Sequence, residues 1–229
     1  WPTPKDLAKA TPAQVITAWG RLGYPRRALR LHAAAQIIAE DFNNTVPEDQ
    51  ETLQLLPGIG EYTAAAIAAF AFEQRSLVMD VNIRRLLVRA IDGEEHPKPA
   101  PTAKEKARRL AILPAKNAHV WAAATMELGA LVCTSKNPSC ELCPIIGQCQ
   151  WRKNGYPKTD LVRKSQDWHG TDRKCRGTIV QALRDNESLT ESAIKKLWPD
   201  ESQVEKALKT LADDLLIQRL PRNRYRLPQ

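Results

Sequence analysis

Four cysteines supply the densest chemistry in the sequence. Cys133, Cys140, Cys143 and Cys149 stand as C-x6-C-x2-C-x5-C within seventeen residues. In a reducing compartment such clustered thiols read as metal ligands rather than disulfides. Zinc sites favour two close pairs, whereas this ladder has one x2 pair and two wider gaps. Four thiolates at this density also suit a [4Fe-4S] cube, so spacing leaves both metals open. Cys175 lies outside the ladder and reads as a packed free thiol.

A second constellation is LPGIG, residues 56–60, running into the alanine-rich stretch EYTAAAIAAF. Gly58 and Gly60 allow a sharp turn and leave backbone N–H groups uncovered. A helix starting at residue 61 aims its unsatisfied N–H groups and positive dipole end at the same point, which suits a phosphate. The pattern also serves as an ordinary helix–helix turn. Its flanks favour a helix-hairpin-helix, a sequence-independent grip on a DNA backbone, with Pro57, Gly58, Ile59 and Gly60 at the grip. Asp80, just before the amphipathic stretch VNIRRLLVR, stands where an N-cap belongs.

The elements that must hold these groups are mostly helical. Thr11-Pro12-Ala13-Gln14 and Thr102-Ala103-Lys104-Glu105 are capping-box starts. Periodicity places helices over about 12–20, 26–41, 49–55, 61–72, 82–91, 103–112 and 117–131. The pattern divides the chain into a helical domain over 1–132, the cysteine segment 133–150, a linker over 151–173 and a C-terminal domain over 174–229. In the last, apolar steps of three and four give three helices, and LLIQRLPRNRYRL gives two short strands about a turn at Pro221–Asn223. That is a winged-helix-like pattern, and equally that of a small helical domain for a protein contact.

The formal charge is +8. Residues 151–229 carry 17 Lys/Arg against 11 Asp/Glu, and residues 1–150 carry 17 against 15, so most of the surplus lies in the C-terminal third. Such a balance fits a polyanionic partner or a solvated basic surface. No run approaches the ~18 apolar residues of a membrane span, and no signal pattern opens the chain. The expectation is a cytoplasmic protein that engages no membrane. The chain starts at Trp1 in a helical stretch, and an N-terminal segment is expected to precede it.

LPGIGEYTAAAIAAFAF followed by MDVNIRRLLVR resembles the base-excision DNA glycosylases of the endonuclease III superfamily. WGRLGYPRRALRLHAAA resembles the MutY-type segment within it, with Pro25 where a second tyrosine is usual. The likeness runs from about Trp1 to Gln150 and implies a mainly α helix-hairpin-helix glycosylase fold. It implies a [4Fe-4S] cluster on Cys133, Cys140, Cys143 and Cys149, with Lys136 in the cluster loop meeting DNA phosphates. It also implies that Asp80 faces the sugar of an extruded nucleotide, beside Tyr62 and Asn82. Tyr24 matches the family's wedge tyrosine, with Arg26 and Arg27 near phosphates.

Bifunctional relatives carry a lysine where Tyr62 stands, and that amine cleaves the strand through a Schiff base. Tyrosine cannot do this, so the resemblance implies a monofunctional enzyme. The implied substrate is duplex DNA, bound by a monomer in the bacterial nucleoid, with adenine opposite 8-oxoguanine or guanine. Two rivals stand beside this: a thymine mismatch glycosylase, and an inactive DNA-binding iron–sulfur protein. The latter draws on a departure: no residue matches the family's general-acid Glu, which the resemblance places before Trp1, so this chain alone is expected to lack the group that protonates adenine. The second departure is the C-terminal domain, helical where many MutY-type proteins end in a Nudix-like β domain. The whole resembles a shorter, actinobacterial-type form.

Overall fold

The computed structural model describes residues 1–159 and 169–229. Part of the expected linker, residues 160–168, lies outside them. The helices in chain order are α1 (Pro4–Ala8), α2 (Pro12–Trp19), α3 (Arg26–Asp41), α4 (Gln50–Leu55), α5 (Glu61–Phe72) and α6 (Val81–Leu87). A π-helical turn (Val88–Asp92) extends α6. Then come α7 (Ala103–Ile112), α8 (Ala118–Leu131), two 3-10 turns (Cys140–Leu142 and Ile146–Gln148) and α9 (Gln150–Lys153). The chain closes with α10 (Asp172–Asp185), β1 (Leu189–Thr190), α11 (Glu191–Lys195), α12 (Glu201–Asp213), β2 (Gln218–Leu220) and β3 (Arg224–Arg226). The strands form one antiparallel sheet in the order β1-β3-β2. Among the described residues no helix is long and apolar enough to cross a membrane.

The caps read from sequence set these boundaries. Thr11 accepts from the Gln14 N–H and the Gln14 side chain returns to the Thr11 N–H, with Pro12 at the first helical position. At α7 only half the box forms. Thr102 accepts from the Glu105 N–H, but the Glu105 carboxylate turns inward to Arg84.

Two compact units result. One holds residues 1–47, 56–58 and 169–229; the other holds 48–55 and 59–159. In the first, Ile16 is fully buried with Cys175, Ile179, Ile194, Leu211 and Leu216, and Ala13 and Leu29 pack on the same cluster. Arg184 of α10 also donates to the Ile16 carbonyl at 3.1 Å. The start and the end of the chain therefore share one core. In the second unit the small residues Ala69 and Ala122 pack with Val78, Ile83 and Leu87, which brings α5, α6 and α8 together. The fold is a mainly helical, helix-hairpin-helix arrangement with a small sheet; the iron–sulfur segment expected within it is corrected below.

Candidate active site

Asp80 occupies the N-cap of α6, with φ −67° and ψ 153°. Its Oδ1 accepts from the Asn82 N–H at 2.6 Å and the Ile83 N–H at 3.4 Å. Two backbone donors thus fix the carboxylate at the positive end of a helix, while Oδ2 is no part of the cap. Asp80 is half-buried, and the helix it starts is buried from Ile83 to Leu87. Tyr62, in the first turn of α5, is exposed on one side. Burial of its hydroxyl and then the negative charge of Asp80 push its pKa above the ordinary tyrosine value. The phenol therefore lies within electrostatic reach of the carboxylate and stays protonated at neutral pH.

Asn82 is held rather than free: its Oδ1 accepts from Arg85 Nη2 at 2.9 Å. Arg85 also donates to the Cys133 carbonyl at 2.8 Å and to the Gly129 carbonyl. Gly129 itself sits so close to the first turn of α6 that a Cβ there would lie 2.5 Å from the Asn82 carbonyl oxygen. Next on the helix, Arg84 makes a bidentate pair with Glu105, both contacts at 2.9 Å, and both side chains are 8% exposed. Burial alone would raise the Glu105 carboxyl. The hydrogen bonds and charge of Arg84, with Arg109 beyond it, outweigh that and hold it below the usual carboxylate range. Arg84, Arg85 and Gly129 clamp the start of α6, and sequence reasoning missed them. The available signal was the pair Arg84-Arg85 between Ile83 and Leu86-Leu87.

The hairpin separates two uses of glycine. Gly58 has φ +80°, and a Cβ there would come within 2.8 Å of Arg30 Cβ, so the fold itself requires glycine. Gly60 has φ −94° and ψ 179°, with no atom near its absent Cβ, so nothing in the fold demands it. It is the N-cap of α5 and has no side chain to offer the first-turn N–H groups. Pro57 and Ile59 are half-buried beside these exposed glycines. Glu61 in the first turn is paired by Lys106 at 2.5 Å, which offsets a charge that would otherwise repel an anion there.

The other predicted contacts are divided between the two units. Tyr24 is 59% exposed in the left-handed region at φ +46°, with the Arg173 guanidinium 4.2 Å from its ring centroid. Arg26 pairs with Asp214 at 3.0 Å, and the Arg27 guanidinium lies 5.7 Å from the Trp19 ring centroid. Lys136 is exposed on the loop after Cys133, where the Thr134 hydroxyl donates to the Lys136 carbonyl at 2.8 Å.

The iron–sulfur expectation is overturned. Cys133, Cys140, Cys143 and Cys149 are free thiols lining one small apolar hollow with Leu86, Arg89 and Trp151. Yet among the described residues no group of three or more His, Cys, Asp or Glu side chains is placed to hold a metal ion. Arg89 takes up two of the sulfurs instead. Its Nη1 donates to Cys133 Sγ at 3.4 Å, and Cys149 Sγ donates to the Arg89 carbonyl at 3.6 Å. The same guanidinium bonds the Glu95 and Thr134 carbonyls and lies 4.6 Å from the Trp151 ring centroid. Among the described residues the ladder is a turn-rich segment packed around a buried arginine, and its side chains are not arranged as the ligand set of a [4Fe-4S] cluster.

This geometry accords with the comparisons to known proteins. The family described as HhH-GPD superfamily base excision DNA repair protein matches residues 1–121, and the chain belongs to it. An adenine DNA glycosylase of Mycobacterium tuberculosis (strain CDC 1551 / Oshkosh) is 44% identical over 232 residues, covering 100% of this chain and 76% of that protein. One from Mycolicibacterium smegmatis (strain ATCC 700084 / mc(2)155) is 42% identical over 231 residues, covering 99% and 78%. Among solved structures, that of a thermostable thymine-DNA glycosylase superposes with a TM-score of 0.62 at 22% identity, covering 67% of this chain and 71% of that one. At that identity the likeness concerns the fold alone.

Proposed function

We propose that this chain is a monofunctional DNA glycosylase that hydrolyses the N-glycosidic bond of adenine mispaired with 8-oxoguanine or guanine. The adenine DNA glycosylases to which it is similar along its whole length support the activity. The observation that carries the mechanism is the Asp80 carboxylate fixed by two backbone N–H groups beside a tyrosine rather than a lysine. The base departs with the bonding electron pair and takes a proton from water, which leaves positive charge on the deoxyribose until a second water adds at C1′ to give the abasic site. A carboxylate already held in place stabilises that charge without reorganising, with Oδ2 as the oxygen that faces the sugar. Tyr62, a neutral phenol, has no amine to form a Schiff base, so the product is an abasic site with the strand intact. The base must leave the duplex before the carboxylate can reach its sugar.

The hairpin at Pro57, Gly58, Ile59 and Gly60 grips a phosphate with the uncapped start of α5. Lys136, Arg27 and Arg26 add charge to the duplex, and Tyr24 wedges into the stack. The setting is the bacterial nucleoid, with the protein working as a monomer. Single-turnover base release from duplexes carrying 8-oxoguanine:adenine, guanine:adenine and guanine:thymine pairs tests the reading. Adenine release without strand scission is expected. Thymine release without adenine release would reject it.

A further inference from the structure

We infer that a DNA-contacting surface lies within the first unit, where the groove between the 20–26 loop and α10 takes the phosphate backbone of the duplex. This deepens the glycosylase reading and rests on it. Among the described residues Arg21, Arg26, Arg173, Lys174, Arg176 and Arg184 line the groove, with the carboxylates Asp185 and Asp214. Asp214 is shared by two guanidinium groups, Arg26 at 3.0 Å and Arg176. One carboxylate between two cations leaves a surplus of positive charge on concave walls, which focus a field more strongly than a flat face.

A basic groove alone would also suit an acidic peptide, and its rim decides between them. Tyr24 stands there exposed, held by a left-handed backbone between Gly23 at φ +75° and Pro25. A flat aromatic beside guanidinium groups is the combination that meets stacked bases and their phosphates. The opposite expectation also fails. In a three-helix domain of the helix-turn-helix kind the last helix enters the groove of DNA. Here that helix, α12, follows or carries Asp200, Glu201, Glu205 and Asp213 against Lys206 and Lys209, and Lys195 pairs with Glu201 at 3.3 Å and with Glu205 at 2.6 Å. Lys206 is already paired with Asp172 at 2.6 Å. Carboxylates and cations thus largely offset one another along α12, which leaves no positive surplus for phosphate there, so the duplex meets the α10 side.

The test uses the full chain and fluorescence anisotropy on fully paired and mismatched duplexes across a series of NaCl concentrations. For Arg173→Ala with Lys174→Ala, the slope of log affinity against log salt should become shallower by about 2, equally on both duplexes. Arg173→Lys should keep the slope, and Lys209→Ala on α12 should leave it unchanged. Equal melting temperatures establish that the variants are folded. A double variant with the parent slope, or a loss of slope in Lys209→Ala instead, overturns the groove while leaving the glycosylase reading intact. Failure of the parent chain to bind duplex DNA at all overturns both.

Discussion

At Asp80 one carboxylate caps α6 through Oδ1 and, on the proposed function, faces a sugar through Oδ2. Asparagine caps a helix about as well as aspartate, so Asp80→Asn removes the charge and keeps the cap. Base release, measured in the protein expressed from its complete reading frame, should fall by about 10²–10³-fold or more, with the melting temperature and duplex binding retained. Asp80→Ala should lose about 1 kcal/mol of stability as well. Retained turnover in the asparagine variant would leave Asp80 as a cap and nothing more. The cap at Asp80 was legible because its position before a helix states it, whereas its place at the sugar, like that of Tyr62, was read from the resemblance alone. Arg85 was not legible, because its partners at Gly129 and Cys133 lie more than forty residues away.

Between α6 and α8 the contact is backbone on backbone at Gly129, where a methyl group would collide with the Asn82 carbonyl. Alanine in place of a helical glycine gains about 1 kcal/mol from propensity, but overpacking costs about 1–3 kcal/mol and falls on atoms that cannot rotate away. Gly129→Ala should therefore lower the melting temperature and push the first turn of α6 outward, carrying Asp80 with it. A displacement near 1 Å at a reacting group costs about 10²-fold in rate, so base release should suffer more than stability. A raised melting temperature with unchanged release would disprove the close approach. Helix positions were largely legible, since the capping threonines and the apolar period state them locally. The π-helical turn at Val88–Asp92 escaped because nothing in its own sequence breaks the period. The strand β1 escaped because it is only two residues long and pairs with β3 from far along the chain. The cysteine ladder showed which thiols would gather in one hollow. It did not show that Arg89 would hold two of them.

Across the whole molecule, residues 1–47 and 169–229 bury one another's apolar side chains, with Ile16 at the centre of the cluster. Removing residues 169–229 uncovers Ile16 and Leu29, and each large apolar side chain exposed forfeits about 1.5–3 kcal/mol. In the truncated chain α2 and α3 should become readily cut in limited proteolysis, and helicity should drop by more than α10, α11 and α12 contribute. Protection of residues 1–47 in that chain would show that they stand alone. The Arg184–Ile16 bond spans 168 positions, so closing it imposes a long-loop entropy that it shares with the packing of Ala13, Ile16 and Leu29 on the same cluster. On the ribosome, the first helices emerge early with an apolar face whose partner has not been made. They must wait, open to chaperones, until residues 169–229 have been made, while the middle of the chain is free to fold ahead of them.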